Sequence, residues 1–270
     1  MTPLFSCVVP VKGARPFFDE AIDSLRGQDF GEDLEIIVQD GDREPDNGQA
    51  DALNRGFAKA RGEWFFWLNA DDLLLPGALA AVLRTISAKG PSSDVVDWIS
   101  GNLVYIDESG RVFKCAWDRG SQCAFAGFPV RVYGPSSFFR RELFERSGGF
   151  DASLRFSMDT ELWCRFRAGA RLERGRIVGG ACPPAWFAKI PRYLWAFRVH
   201  GGSLTSADLV GMAPAEMMAE ANVIDRAYGL RRCGWPLWRL RLTRLADGGY
   251  ARSLRDTLRY RGIHISVFPT

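Results

Sequence analysis

The sequence predicts an α/β fold in which a mostly parallel sheet is flanked by helices. Three short apolar runs, at 4–11, 34–40 and 64–68, have the length and character of buried strands. Each run is followed by a segment with helical spacing of its apolar residues, and this alternation is typical of a parallel sheet covered on both faces. The 270 residues are 47% hydrophobic and 25% charged, which suits one large domain or one domain with a tail.

Helices are predicted over 16–27, 49–60 and 76–89, because each segment places its apolar residues on one side and stops at or next to a glycine. Beyond residue 100 the pattern is less regular. The elements expected there are a hairpin at 101–114, a short helix ending at Gly148, a helix from about Asp159, a strand near 194–200, and helices at about 213–228 and within 236–261.

Composition and motifs argue against several functions. The net charge of +3 is too small to indicate nucleic-acid binding by itself, and no apolar run approaches the roughly 20 residues of a membrane-spanning helix. The six cysteines are scattered without a CxxC motif, so reduced cytoplasmic thiols explain them better than disulfides or a zinc site. Neither a G-x-G-x-x-G after the first strand nor a GxxxxGK[ST] occurs, which disfavours dinucleotide redox chemistry and P-loop phosphate binding.

Acidic residues follow two of the predicted strands. Asp40 ends the second strand, and Asp71 and Asp72 follow the third within FFWLNADDLLLPGAL. Ligands of open parallel sheets bind outside the carboxyl ends of the strands, so we expect these residues at one edge. Adjacent carboxylates repel each other, and a bound Mg²⁺ or Mn²⁺ relieves this cost. The alternative is that the pair caps the next helix; its position after a buried strand favours the metal.

Several segments taken together resemble a family 2 glycosyltransferase of the GT-A fold. They are VVPVKG, EIIVQDGD, ADALNRGFAKARGEWFFWLNADDLLLPGAL, GNLVYIDESGRV, SSFFRRELFERSGGFDASLRFSMDTELWCRF and FRVHGGS. The resemblance covers about residues 4–206, in the family's order. It implies a GT-A catalytic domain over 1–206, with a nucleotide-sugar half at 1–100 and an acceptor half at 101–206. A helical C-terminal extension would follow over 207–270.

The resemblance implies a set of contacts to the donor nucleotide. Pro10 and Val11 would lie against the nucleotide, and Asp40 would hydrogen-bond the nucleobase. Asn54 recurs in the family near the nucleotide, although a capping or packing role explains it equally well. Uridine is the commonest base in similar enzymes, so a UDP-sugar is favoured, with thymidine and guanosine donors as alternatives.

The resemblance also implies a metal site. Asn69-Ala70-Asp71-Asp72 occupies the family's Asp-x-Asp position, where Asn69 and Asp71 would contact the nucleotide and Asp72 would hold Mn²⁺ or Mg²⁺ on the donor diphosphate. Asn69 stands where many relatives have Asp, so its contact would be weaker or different. His200 follows a predicted strand, at a position where similar enzymes contact the metal or diphosphate. A purely structural role for this lone histidine is an equal alternative.

On the acceptor side, Asp159 matches the family's base, which would deprotonate the acceptor hydroxyl so that the product is inverted. Met158 stands where relatives usually carry a glutamate. The alternative, compatible with the first, is that Asp159 is a helix N-cap with Glu161 as a first-turn acid. Glu161, Arg198 and Trp195 are further candidates for contact with the acceptor or the diphosphate, and Arg198 has a surface ion pair as its alternative.

The sequence therefore predicts a metal-dependent, inverting transferase that moves a sugar from a nucleotide-diphosphate sugar to a saccharide or lipid-linked acceptor, in cytoplasmic polysaccharide biosynthesis. The alternatives are a nucleotidyltransferase, of whose glycine-rich loop PVKGARP is a poor version, and a non-catalytic nucleotide-sugar or glycan binding protein. The tail LRRCGWPLWRLRLTRL has three interpretations: a helix on the inner face of an anionic membrane, a helix packed on the catalytic domain, or a dimer contact.

Overall fold

A computed structural model describes residues 2–88, 96–118, 132, 134–202, 215–228, 245 and 248–269. The strands are β1 (Phe5–Val11), β2 (Leu34–Asp40), β3 (Trp64–Trp67), β4 (Leu73–Leu74), β5 (Trp98–Ile106), β6 (Val112–Ala116), β7 (Ser137–Arg140), β8 (Arg171–Glu173), β9 (Arg176–Val178) and β10 (Phe187–Arg198). The helices are α1 (Phe18–Arg26), α2 (Gln49–Lys59), α3 (Ala78–Ser87), α4 (Arg141–Ser147), α5 (Met158–Ala168), α6 (Ala215–Ala227) and α7 (Gly249–Tyr260).

The predicted α/β class is confirmed. The main sheet has the order β2-β1-β3-β7-β5-β10-β4, with β6 beside β5, while β8 and β9 form a separate pair. β1 pairs in parallel with β2 and β3, and β5 pairs in parallel with β10. β7 runs antiparallel between β3 and β5. Five strands therefore run in one direction, and their carboxyl ends meet at one edge of the sheet.

The wholly apolar run of β3 reflects burial on both faces of the sheet, as its sequence predicted. Trp64 and Phe66 pack into one core cluster with residues of α1 and α3, whereas Phe65 and Trp67 pack into another with residues of α2 and α5. All four side chains are at most 1% exposed. Because side chains pack against β3 on both faces of the sheet, the position at which the following segment, from residue 68 onward, leaves the core is fixed.

The predicted helices and the hairpin are present, with ends that differ by a few residues. Four strands were missed, namely β4, β7, β8 and β9, because each has only two to four residues and is too short to show a periodic pattern. The predicted basic tail, 230–245, lies outside the described residues except for Leu245, so its three interpretations stay predictions, as does the division into domains. Among the described helices, none is long and apolar enough to cross a membrane.

Gly56 tests the contact between α2 and the sheet. A Cβ at this position would overlap the side chain of Val8 on β1. We expect Gly56→Ala to lower the free energy of unfolding by ~1–3 kcal/mol, because the overlap outweighs the helix preference of alanine. Urea unfolding measures the change. Gly179→Ala is the matched control, since its added Cβ would meet nothing within 4 Å; equal stabilities of the two variants would contradict the packing argument.

Candidate active site

A cleft of about 680 Å³ opens at the edge of the sheet where the parallel strands end. It is bounded by the loop after β1, the segment after β3, the start of α5 and the end of β10. Seven of the predicted site residues line it: Pro10, Val11, Asn69, Asp71, Asp159, Trp195 and His200. Donor-side and acceptor-side candidates from distant parts of the chain therefore share one hollow.

Asp71 and His200 form a polar pair in this cleft. Asp71 Oδ2 lies 2.9 Å from His200 Nε2, and their side chains are 32% and 17% exposed. His200 Nδ1 accepts a hydrogen bond from the Gly202 N–H at 3.1 Å. In the neutral ring Nε2 therefore carries the hydrogen and donates a hydrogen bond to Asp71 Oδ2. A carboxylate beside an imidazole is a donor set that suits Mn²⁺, and a cation here would replace that proton.

The pair could hold a cation only with help from other ligands. In the part of the chain that the structure describes, no group of three or more His, Cys, Asp or Glu side chains is placed to hold a metal ion. Mn²⁺ and Mg²⁺ commonly complete their coordination with phosphate oxygens and water. Asp71 and His200 therefore fit a cation that arrives with a diphosphate better than one that is permanently bound.

Asp72, the predicted metal ligand, lies beneath the cleft and is fully buried. Its Oδ1 accepts the Arg198 N–H at 2.9 Å, and its Oδ2 accepts the Asn69 side-chain amide at 2.9 Å. Burial, and then the charge of Asp71, raise the pKa of Asp72 well above its usual value. The predicted metal role of Asp72 is thus contradicted, because its oxygens face protein donors, and Asp71 is the carboxylate that faces the cleft.

The other candidate role for the acidic pair, capping the next helix, is also wrong. α3 begins at Ala78, and Gly77 precedes it without a side-chain cap. Asn69 lies in the cleft wall and links two segments, since its Oδ1 accepts a hydrogen bond from Gln49 at 2.7 Å while its amide bonds Asp72. The polar turn after β3 is therefore held by its own side chains and by α2.

Arg198 does not reach the cleft, which contradicts its predicted contact with phosphate. The side chain is 1% exposed. Its guanidinium donates to the Asp71 carbonyl at 3.0 Å, to the Glu108 carbonyl at 3.0 Å and to the Glu20 carboxylate at 2.7 Å. Its face lies 4.3 Å from the centre of the Phe17 ring. These contacts make Arg198 the support beneath Asp71.

Asp159 lies in the first turn of α5, with its side chain half-buried in the cleft wall. Burial raises its pKa, although hydrogen bonds from the Thr160 N–H (2.6 Å) and hydroxyl (3.2 Å) act in the opposite direction. The helix begins at Met158 after Ser157, so Asp159 is inside the helix and not at its cap. A carboxylate with a raised pKa in a cleft is suited to accept a proton near neutral pH.

Glu161 lies on a different side of α5, which contradicts its predicted contact with acceptor or diphosphate. A helix turns by about 100° per residue, so two residues separate the directions of Asp159 and Glu161 widely. Glu161 is buried against Arg165, with Oε2 2.6 Å from Nη2, and it accepts the Tyr228 hydroxyl at 2.7 Å. Its charge is therefore neutralised inside the protein.

Asn54 has the packing role that was its alternative interpretation, and its predicted contact with the nucleotide is contradicted. Its amide donates to the Phe150 carbonyl at 2.9 Å, and its oxygen accepts the Phe150 N–H at 2.8 Å. Both groups of the carboxamide are thus used to fix the turn after α4, and Asn54 is not among the residues of the cleft wall.

Asp40 lies beside the cleft and is engaged by its neighbours. It accepts Arg15 Nη2 at 2.9 Å and the Asp42 N–H at 3.0 Å. Burial alone would raise the pKa of Asp40, but these hydrogen bonds and the charge of Arg15 lower it overall. Arg15 itself lines the cleft together with Lys12. Neither residue was predicted to line the cleft, although two basic residues directly after the first strand could have indicated it.

Two further features of the cleft wall were not evident from sequence. A Cβ on Gly134 would lie 3.0 Å from Asp159 Oδ2 and 2.6 Å from the Trp67 ring, so this position leaves room for the carboxylate. Tyr105 of β5 lines the same hollow. Trp195 does line it as well, but it is only 5% exposed, so little of its ring is available to stack on a sugar.

The fold is of the GT-A type. Three solved structures share the fold. A mannosyltransferase from Pyrobaculum calidifontis matches with a TM-score of 0.51 and 17% identity, over 99% of this chain and 87% of that one. Glucosyl-3-phosphoglycerate synthase from Mycobacterium tuberculosis matches with a TM-score of 0.51 and 17% identity, over 87% of this chain and 80% of that one. TarS from S. aureus matches with a TM-score of 0.50 and 15% identity, over 74% of this chain and 59% of that one.

Sequence comparisons lead to the same group. The sequence model of Glycosyl transferase family 2 matches residues 41–148. An uncharacterized glycosyltransferase of Rickettsia typhi is 27% identical over 194 residues, which is 61% of this chain and 59% of the relative. A PGL/p-HBAD biosynthesis glycosyltransferase of Mycobacterium tuberculosis is 27% identical over 181 residues, 58% and 67% of the two chains. The chain is therefore similar to glycosyltransferase family 2 over part of its length, and it spans less than two thirds of the Rickettsia relative.

The two neighbouring aspartates should respond differently to substitution. Asp72→Asn replaces one buried acceptor oxygen with an amide that faces a donor, so we expect the free energy of unfolding to fall by ~1–3 kcal/mol. Asp71→Asn changes a partly exposed group and should leave stability within about 0.5 kcal/mol. Urea unfolding of both variants measures this. Loss of stability in Asp71→Asn alone would reverse the roles assigned to the pair.

Proposed function

We propose that this protein transfers a sugar from a nucleotide-diphosphate sugar to an acceptor hydroxyl, with inversion and with the help of a divalent cation. The observation that carries the proposal is a single cleft lined both by the Asp71–His200 pair and by Asp159. Similarity to glycosyltransferase family 2 supports sugar transfer. The structural neighbours, solved with UDP-GlcNAc, with GDP-Man and Mn²⁺, and with UDP and Mn²⁺, support a nucleotide donor.

On the donor side, Asp71 and His200 would hold Mn²⁺ or Mg²⁺ against the diphosphate. A cation bound there stabilises the charge that develops on the departing nucleoside diphosphate. Arg198 keeps the Asp71 backbone in place through its 3.0 Å hydrogen bond to the carbonyl. Lys12 lines the same cleft with a side chain that is 60% exposed and 3.9 Å from Asp46, and its ammonium group would pair with a phosphate of the donor.

On the acceptor side, Asp159 takes the proton from the acceptor hydroxyl as that oxygen attacks the anomeric carbon. The bond from the anomeric carbon to the diphosphate breaks on the opposite face of the sugar, so the configuration is inverted. The proton ends on the Asp159 carboxyl, and the bonding electrons leave with the nucleoside diphosphate. A raised pKa strengthens Asp159 as a base, because it narrows the gap to the pKa of a hydroxyl.

The proposal includes a saccharide or lipid-linked acceptor and a UDP-sugar as donor. The products formed from a panel of sugar nucleotides with Mn²⁺ test the reaction class. Release of a nucleoside diphosphate supports sugar transfer. Release of pyrophosphate would instead indicate a nucleotidyltransferase, and tight binding without turnover of any donor and acceptor would indicate a binding protein.

Substitutions should separate the two sides of the cleft. We expect Asp71→Asn and His200→Ala to weaken Mn²⁺-dependent UDP binding by about tenfold or more, because each removes a group facing the cation. Calorimetric titration with and without Mn²⁺ measures this. Asp23→Asn, a 74% exposed site on α1, is the control and should bind as wild type does.

Asp159→Asn should also bind UDP normally and lose transfer by about 10²–10⁴-fold; unchanged transfer would remove Asp159 from the mechanism.

The pH profile should report the Asp159 carboxyl. Asp159 acts only when deprotonated, so the rate at saturating donor and metal falls as the pH drops through its pKa. Because burial raises that pKa, the fall should begin at a higher pH than for an ordinary Asp near about 4. Thr160→Val removes a hydroxyl that stabilises the charged form and should move the fall to still higher pH. A move to lower pH in this variant would contradict the assignment.

A further inference from the structure

A carboxylate from the predicted C-terminal extension holds the backbone that leads into α5. Glu220, on α6, accepts hydrogen bonds from three consecutive main-chain N–H groups. The Arg155 N–H donates to Oε1 at 2.7 Å, and the N–H groups of Phe156 and Ser157 donate to Oε2 at 2.9 Å each. These three residues come directly before the first turn of α5, which carries Asp159.

Glu220 fixes the segment that leads into α5, whereas inside the first turn the Thr160 N–H is accepted by Asp159 itself. Ser157 is the residue before α5, and its side chain makes no capping hydrogen bond. The N–H groups of residues 155–157 come before the helix and take no part in its hydrogen-bond ladder, so they need an acceptor from elsewhere. Hydrogen bonds from N–H groups to a carboxylate are roughly twice as strong as those between neutral groups. Glu220 therefore orders a segment whose own sequence does little to order it.

Two other residues of the extension contact the same region. Tyr228, just after α6, donates its hydroxyl to Glu161 of α5 at 2.7 Å. Met217 of α6 lines the cleft that contains Asp159. Residues of the extension thus form hydrogen bonds with the segment before α5 and with Glu161 within α5, and Met217 forms part of the wall of the cleft.

We propose that Glu220 is a positioning residue: it fixes residues 155–157 and thereby sets the place of the Asp159 carboxylate in the cleft. The inference rests on the proposed function only where it takes Asp159 as the base. It makes part of the region predicted as an extension, 207–270, a component of the acceptor side of the site.

Two variants at Glu220 and a control on the same helix test this. Glu220→Ala removes the acceptor, and the milder Glu220→Gln keeps one acceptor oxygen but sets an amide against the other N–H groups. Glu216→Gln is the control, because the contact of Glu216 with the Arg155 guanidinium, at 3.5 Å, joins two side chains that are both more than 60% exposed. Thermal unfolding first establishes which variants are folded.

Hydrogen–deuterium exchange provides the first readout. We expect the amides of residues 155–160 to exchange about tenfold faster or more in Glu220→Ala, less so in Glu220→Gln, and as in wild type in Glu216→Gln. Unchanged exchange in a folded Glu220 variant would overturn the proposal. The measurement needs no substrate, so it decides this contact even if the wild-type chain turned over no donor, a result that would count against the proposed function alone.

Kinetics provide the second readout. Glu220→Ala should lower kcat for transfer by about tenfold or more, because a displaced Asp159 carboxylate takes the acceptor proton more slowly. Mn²⁺-dependent UDP binding, which uses Asp71 and His200, should stay within about twofold of wild type. Glu220→Gln should lie between Glu220→Ala and wild type. An equal loss of binding and kcat would mean a general structural role and would overturn the proposal, as would a wild-type kcat in a variant whose amides exchange rapidly.

Discussion

The buried guanidinium of Arg198 makes the contacts on which the part of the cleft around Asp71 and His200 depends. A charged group that is 1% exposed is tolerated only when its donors are satisfied, and Arg198 meets this need with the Asp71 carbonyl, the Glu108 carbonyl and the Glu20 carboxylate. These acceptors come from three separate segments, which must therefore converge on the end of β10. Since His200 follows two residues later, the same convergence brings its ring to Asp71.

Adjacent or nearly adjacent carboxylates in this protein have opposite environments. Asp72 points down into the protein and bonds Arg198 and Asn69, whereas Asp71 faces the cleft. In α5, Asp159 lines the cleft and Glu161 is neutralised by Arg165. In each case one acid stabilises the local structure that presents the other. The neighbouring charges are compatible because one of each pair is removed from solvent and satisfied by protein donors.

The wall of the cleft that contains Asp159 is assembled from two regions of the chain. The N-terminal turn of α5 carries Asp159, and α6 supplies the Glu220 carboxylate that bonds the three N–H groups before that turn. Met217 extends the wall of the hollow from the same helix. A boundary drawn near residue 206 from the extent of the family resemblance therefore separates residues that are in contact. The functional unit that the structure describes is larger than the segment with recognisable motifs.

The sequence by itself determined the α/β class, three strands and three helices of the first 90 residues, and the acidic edge. These follow from local periodicity and from the rule that parallel strands present their carboxyl ends at one edge. Only the tertiary structure decided that Asp71 rather than Asp72 faces the cleft, that Arg198, Glu161 and Asn54 are engaged in internal contacts, and that Glu220 reaches α5. One residue of shift along a chain turns a side chain to another side, and partners far apart in sequence meet only through packing.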